Sequence, residues 1–507
     1  MDEVAESVEW ESDGPWELPE GWAWKLLIET LERVTTTDPK RDFGKSAFHY
    51  VDLGAIENCK IVNPQSITGD AAPSRARQLV TTGDTIFSCV RVYLKNIALV
   101  GEGLTSPVAS TAFCVLRPSE AIDARYLNYF VRSQRFIEWM IPLQRGNSPP
   151  AVVDSDIKAQ FIPLAPLAEQ RRIVARVDAL FAEIAEGEAA LEAARKGLDT
   201  FRRALLKAAV TGELTKDWRE NNPVTETGHD LLARIKADRT AKGQTKGRGK
   251  RAADAAPLDT SALPVLPEGW KWGTVDHVKI SDQRNGISIA GSSSPPGTKA
   301  MRLDALTAHG INLDAIRYIP LPEERVADYR VNAGDLLISR ANGSAEFVGR
   351  AVYVSDIAET VVFPDTIIRY PLGRDEQIGR WMEMAWNSPL GRSQIRRLAK
   401  TTAGILKISQ EDISQISLPI PPPAEAGEIL RRVSEALAAS TDTLTILDEE
   451  TADGARLKQS ILKAAFEGRL VPQDPGDEPA SAILARLNAT PSTPTRARRG
   501  RARKSAP

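Results

Sequence analysis

A metal-dependent nuclease needs an acid followed, on a neighbouring strand, by a D/E-x-K triplet that holds the metal and its water. Asp156-Ile157-Lys158 has the triplet's form, and Asp412-Ile413-Ser414 repeats it without the lysine. An amino-methyltransferase needs Asn/Asp-Pro-Pro followed by an aromatic ring. The nearest run, NSPPA at 147–151, has neither the spacing nor the ring. No GxxxxGK[ST] phosphate loop or GxGxxG turn occurs. Cys59, Cys89 and Cys114 are dispersed without a CxxC pair, and His49, His229, His277 and His309 are scattered, so neither a zinc site nor a disulfide framework is expected. No Ser/His/Asp or Cys/His set can be argued. The residue chemistry points to a binding protein without catalytic residues or metal of its own.

The bulk charge sets a further bound. The 507 residues carry 65 Lys+Arg against 67 Asp+Glu, a net charge of −2, which argues mildly against a chain that grips nucleic acid by bulk charge. Two stretches depart from this balance. Residues 236–251 hold Lys236, Arg239, Lys242, Lys246, Arg248, Lys250 and Arg251 against Asp238, and residues 496–504 read RARRGRARK. Both read as solvated linker or tail, a reading compatible with non-specific phosphate contact. No run approaches the ~18 apolar residues of a membrane span, and MDEVAESVEWESDG lacks the apolar core of a secretory signal. A cytoplasmic protein with no membrane association is expected.

The chain says most things twice. LPEGW at 18–22 returns at 266–270, GDTIFS at 83–88 as GDLLIS at 334–339, and PLAPLAEQ at 163–170 as PIPPPAEA at 419–426. LLKAAVTGEL at 205–214 returns as ILKAAFEGRL at 461–470, and LLARIKA at 231–237 as ILARLNA at 483–489. The order is the same in both halves, at a spacing of about 250 residues, so the chain is an internal duplication of units each large enough for one or two domains.

Each copy opens with short β-rich segments punctuated by Gly and Pro, such as FHYVDLGAI (48–56), DTIFSCV (84–90) and STAFCVLRP (110–118), which suggests a mixed sheet or partial barrel. A helix is expected over 123–140 with Asp123 as its N-cap, and SDIKAQFIPLAP should return to the sheet. From Leu167 to about Thr211 proline disappears. Ile173, Val177, Leu180, Ile184, Leu191, Leu198, Phe201 and Leu205 recur at alternating spacings of four and three, with Gly187 and Ala194 at the intervening steps. That predicts a helix packed lengthwise on another helix. The second copy has a weaker seam of Leu430, Val433, Leu437, Leu444, Leu447, Leu457 and Ile461, with Ser440, Thr451 and Gly454 loosening its middle. The two long helices are expected to be each other's antiparallel partners about a pseudo-two-fold axis, holding two similar heads apart as a dumb-bell. Duplex DNA is a target whose dyad matches such an arrangement.

The duplicated LPEGW, the GD-x-x-x-S strands, the Pro-rich entry into a long helix and the LKAA-x-x-G-x-L at its end resemble the specificity subunits of type I restriction–modification systems. The resemblance covers about residues 15 to 490. It implies an α+β fold: two similar target recognition domains, each of mixed sheet plus short helices, separated by two antiparallel coiled-coil helices. The expected domains are recognition domain 1 (1–165), spacer helix 1 (166–215), a partly disordered basic linker (216–265), recognition domain 2 (266–420), spacer helix 2 (421–470) and a C-terminal segment with a basic tail (471–507).

The resemblance further implies that each recognition domain reads one half of a bipartite, asymmetric double-stranded DNA target. The helices would set the unread gap and dock two modification (methyltransferase) subunits. S-adenosylmethionine is expected on those subunits, with no cofactor on this chain, and a restriction or translocating subunit can join them. The complex would be nucleoid-associated. Base readout needs polar side chains on loops, and phosphate contact needs Arg and Lys. The candidates after the GD strands are Arg91, Lys95 and Asn96, matched by Arg340, Asn342 and Ser344. Those before the last short strand are Gln144, Arg145, Asn147 and Ser148, matched by Lys400, Thr401, Thr402 and Lys407. Lys40, Arg41 and Lys45 add a basic loop in the first copy. Ala189, Ala190, Ala193 and Ala194, with the corners GELTKDW and GRLVPQD, are expected to meet the methyltransferases. The alternative is a scaffold whose two heads bind proteins and never read DNA.

Overall fold

The computed structural model describes residues 14–146, 149–241, 260–261, 263–307, 310–402 and 404–489. The basic tail and most of the basic linker lie outside the described residues, as do Asn147, Ser148 and His309. The chain divides into two units, 1–191 with 448–507, and 192–447. Both boundaries fall inside the two long helices, Leu167–Thr211 and Pro423–Phe466.

The first unit carries two four-stranded sheets. One orders Gln65–Thr68, Ala47–Val51, Val108–Ser110 and Ala76–Leu79; the other orders Leu31–Glu32, Phe113–Pro118, Thr85–Ser88 and Ile97–Leu99. The pairing of Val108–Ser110 with Ala47–Val51 is parallel, so the sheet is mixed. The second unit repeats the GD strand as Asp335–Ser339, paired with Ile367–Pro371 and Ala351–Tyr353. In each unit the strand opened by the Trp motif pairs antiparallel with the strand that enters the long helix: Ala23–Leu26 with Phe161–Leu164, and Lys271–Gly273 with Leu418–Ile420.

The single helix expected over 123–140 is two, Ala124–Arg132 and Gln134–Met140. Ser133 leaves helical geometry at ψ 147° and its hydroxyl accepts from the Phe136 amide, so it caps the second segment. Ser388 does the same between Glu376–Asn387 and Pro389–Leu398, with Pro389 preset at the first helical position.

Both long helices are continuous. At 1.5 Å per residue each spans roughly 65 Å. In the first unit Ile173, Val177, Leu180 and Ile184 share a core with Ile461, Leu462, Ala465 and Phe466; in the second, Leu205 and Ala209 share one with Ile429, Leu430, Val433 and Leu437. The start of each helix therefore meets the end of the other, and they run antiparallel. Leu191, Leu198 and Leu444 are half-buried and Leu447 is buried. Phe201 is not on the seam: it is 46% exposed, as is Leu457 at 52%. An α-helix makes one turn every 3.6 residues, so a four-three pattern must take an occasional extra step of four to stay on one face. After Ile184 that step falls at Glu188 in place of Gly187, and Glu188 forms a 2.7 Å ion pair with Lys458. Gly454 does not break the second helix; it faces Ile184.

The remaining echoes explain one another at two junctions. Trp22 Nε1 donates to Glu169 at 2.9 Å, and Trp270 Nε1 donates to Glu425 at 2.8 Å. Each glutamate is the third residue of a long helix, where unpaired amides favour a carboxylate. Each also accepts from the segment that follows the other long helix: Glu169 from Gln473, and Glu425 from Thr215 and Arg219. Gly212 and Gly468 end the helices at φ 75° and 68°, and a Cβ there would lie 2.5 Å and 2.2 Å from the prolines of the LPEGW motifs, Pro267 and Pro19. The Gly21 carbonyl accepts from the Ala480 amide and the Gly269 carbonyl from the Gly228 amide. These bonds dock the helices Ala480–Ala489 and Gly228–Ala241, which bear the last echo. Residues 216–241, the first part of the linker expected to be partly disordered, are thus largely helical and anchored through buried Leu231 and Ile235. The corners GELTKDW and GRLVPQD, expected to face a partner, direct Thr215 and Gln473 into these junctions, and Arg219, just after the first corner, joins them.

The GD repeats are turns. Gly83 and Gly334 sit at φ 93° and 95°, and Asp84 and Asp335 accept from the amides three residues back, Thr81 and Asn332. Arg117 also answers Asp84 at 2.7 Å.

Two stability predictions follow from these contacts. Glu425 is fully buried, so Glu425→Ala strands the Arg219 guanidinium and the Trp270 indole N–H. Loss of about 3 kcal/mol or more, a fall of roughly 10 °C in Tm, is expected by calorimetry, with Glu425→Gln intermediate. Burial pushes the Asp335 carboxyl up to about 6. Its stabilising contribution is complete below the unfolded value near 4 and is lost as pH rises through 6, on the order of 2–3 kcal/mol. Asp335→Asn keeps the acceptor without the charge. Its Tm relative to wild type should rise between pH 4 and 6 and then level off; a pH-independent difference would refute this.

Candidate nucleic-acid interface

In the first unit, two of the three expected loops are sewn together. The chain between Thr85–Ser88 and Ile97–Leu99 is anchored by buried Val92, with Arg91 and Lys95 at φ 50° and 52° on either side of the 3-10 turn Val92–Leu94. The Arg91 amide donates to the Pro150 carbonyl at 2.9 Å, Val152 to the Cys89 carbonyl at 2.9 Å, and Arg145 and Ala151 exchange backbone bonds of 2.7 and 3.0 Å. Arg91 and Arg145 are exposed and Lys95, Asn96 and Gln144 are half-buried. Tyr93 and Leu94 project from the tip, 49% and 52% exposed.

Several of these side chains already have partners. Lys95 Nζ donates to Gln134 Oε1 at 2.8 Å, and Gln144 Nε2 donates to the Ile141 carbonyl. Arg145 holds Asp156 with two bonds of 2.6 and 3.1 Å. That contact lowers the Asp156 pKa against the opposing effect of burial. Asp156 also accepts from the Val153 amide that opens the helix Asp154–Lys158, and Asp412 accepts from Ser409 at the start of Gln410–Ser414. The DIK and DIS triplets are therefore helix-start motifs. Among the described residues no cluster of three or more potential metal ligands occurs.

The third loop is elsewhere in the unit. Lys40, Arg41 and Lys45 are exposed around the helix Pro39–Asp42, which packs on the turn Gly69–Ala71. Arg41 is engaged by Asp42 at 2.7 Å.

The second unit brings its two loops together by a different hydrogen-bond pattern. Ala341–Asn342 pairs with Ile405–Lys407, which pairs with Lys400–Thr402. The Ile408 amide donates to the Arg340 carbonyl at 2.9 Å. Lys400, Thr401 and Lys407 are exposed; Arg340, Asn342 and Ser344 are half-buried. The side chain of Thr402 lies outside the described residues. Asn342 Oδ1 accepts from the Ser344 amide, and the Ser344 hydroxyl from the Glu346 amide. Arg392 pins the same loop by donating to the carbonyls of Ala345, Glu346 and Val348. Burial lowers its pKa to about 10. Matching the two copies did not find Arg392 or the arginines that line a cleft beneath this loop, because it singled out only the polar residues after the GD strand and before the last short strand.

Residues 78–193 match the family described as "Type I restriction modification DNA specificity domain". The chain is 27% identical over 491 residues to the EcoKI specificity subunit of Escherichia coli K12, covering 93% of this chain and 96% of that protein. It is 27% identical to the StySPI specificity subunit of Salmonella potsdam, with the same coverage. A chain from a solved structure, described as the structural basis of complex assembly and conformational transition of the type I R-M system, superposes at a TM-score of 0.64 with 26% identity over 90% of this chain and 100% of its own length. In motif order, duplication and fold, and over nearly its whole length, the chain is similar to specificity subunits of type I restriction–modification systems.

Proposed function

We propose that each unit of this DNA-recognition subunit reads one half of a bipartite, asymmetric target, and that the long helices set the bases left unread between the halves. One observation carries this reading. Two units built on the same junction each present a pair of hydrogen-bonded polar loops, and those loops diverge in sequence where the junctions do not. A conserved frame with divergent loops is what two different half-sites require.

The partners in this reading are two methyltransferase subunits, which supply S-adenosylmethionine and methylate adenine, and a restriction subunit in the complete system. This chain contributes no catalytic group. The exposed small residues Ala189, Ala190, Ala193 and Ala194 suit close approach by a partner helix. The assembly would work in the cytoplasm, on the nucleoid.

Single-molecule methylation sequencing of the host, with and without this gene, tests the proposal. A split N6-methyladenine motif that vanishes on deletion is expected. An unchanged methylome in cells expressing this chain with its methyltransferase would leave only a scaffold role. Phosphate contact has its own signature. Lys400→Ala and Lys407→Ala should each flatten the slope of log K against log salt by about 0.9, equally for every sequence. A change confined to one sequence would place these lysines at bases instead.

A further inference from the structure

The second unit contains a cleft of about 910 Å³ beneath the loop that carries Asn342. Ser339, at the end of the GD strand, forms part of its wall; Arg302 and Arg317 reach it from two other stretches of chain, and Asn342 and Arg350 from the loop that follows the strand. Two polar groups there are unexplained by the fold. Arg317 Nε and Ser339 Oγ are shielded from solvent and have no hydrogen-bond partner among the described residues. Ser339 is only 2% exposed. Buried polar groups are otherwise paired almost without exception. The repeat provides a control: Ser88, the counterpart of Ser339, donates to the Val90 carbonyl at 2.8 Å. An orphaned hydroxyl at this position is therefore a property of the second unit and not of the strand.

Three arginines, Arg302, Arg317 and Arg350, line the cleft against two carboxylates, Asp304 and Asp365. Arg302 is answered by Asp304 at 3.2 Å, and Arg350 lies over the Phe347 ring, 4.6 Å from its centroid. Arg317 has no ion pair among the described residues. Asn342 uses its oxygen on the Ser344 amide, which fixes the carboxamide and leaves its NH2 as a donor. Phe347, 40% exposed, adds an apolar edge. A forked guanidinium, an oriented carboxamide and an apolar edge are the groups that distinguish guanine, adenine and the thymine methyl in a DNA groove.

We infer that this cleft is the base-reading site of the second unit, with Arg317 and Asn342 as specificity-determining residues and Arg392 as the residue positioning the loop above them. The inference rests on the proposed function and narrows it to one face of one unit. It assigns the base contacts to residues on both sides of the cleft, whereas comparison of the repeats singles out the loops alone.

The test is methylation sequencing of hosts carrying Arg317→Ala, Arg317→Lys or Asn342→Ala. Each is expected to relax one or two positions within one half of the motif and to lower methylation of the original sequence about tenfold or more, while the other half and the gap stay as in wild type. An unchanged motif and methylated fraction in both alanine variants would overturn the inference. Lysine keeps the charge but not the fork, so full methylation of an unchanged motif by Arg317→Lys would assign that position to a phosphate and also overturn it. If both Arg317 variants abolish methylation altogether, Asn342→Ala, in a surface loop, decides alone by the same criterion. Absence of any bipartite motif in wild type is a separate outcome, which removes the proposed function itself.

Discussion

A buried carboxylate at the start of each long helix organises the molecule. Glu169 and Glu425 receive an indole N–H from the strand that opens their own unit, and side chains from the segment that follows the other long helix. A carboxylate out of water is tolerable only when its lone pairs are filled, and here indole, hydroxyl, amide and guanidinium donors fill them. The helix N-terminus adds its own favourable field. Once these bonds form, the entry strand, the helix start and the far helix end cannot be placed independently. The head of each unit is fixed to the helices by the same contact that fixes the helices to each other.

That arrangement explains why binding chemistry can diverge where the frame does not. The GD turns and the short helices led by Asp156 and Asp412 recur in both units as backbone-capping devices. They set the exits of the loops without specifying what the loops carry. In the first unit the loops are joined by bonds among Arg91, Pro150, Arg145 and Ala151; in the second a small three-stranded sheet does the same work. Arg392 takes on loop support in the second unit through three carbonyls. Loops held at both ends by rigid elements can change side chains with little effect on the core.

The long helices use a narrow contact stripe along most of their length. Their ends are covered by head residues and the opposite helix, as at Tyr126, Phe130 and Phe466 in the first unit. Toward the middle, half-buried Leu191, Leu198 and Leu444, buried Leu447 and the Glu188–Lys458 pair mark the seam, and the alanine face beside it stays exposed. Hydroxyls at Ser440, Thr441, Thr443 and Thr445 turn back to carbonyls four residues earlier, so these polar residues sit in a helix without unpaired groups.

The sequence by itself determined the duplication, the two long helices and their antiparallel partnership. Repeated motifs survive as letters, and a proline-free apolar stripe can be buried in few ways. It also marked loops that the structure brings together in pairs, since polar residues between a strand and a Gly/Pro break have few places to go. It did not reveal what the motifs were for. LPEGW, the glutamate of AEQ and AEA, and the glycine after LKAA looked like separate signatures, and their meeting at one junction depends on contacts between residues more than 140 positions apart. The sequence misplaced Phe201, because after Ile184 the covered face steps by four to Glu188 where the counting pattern steps by three to Gly187. It treated residues 216–241 as linker, because their helices owe their place to the other copy's entry strand. Only the tertiary structure decided these points: a local pattern records which face is apolar, while the partner that covers that face is chosen by the closure of the whole chain.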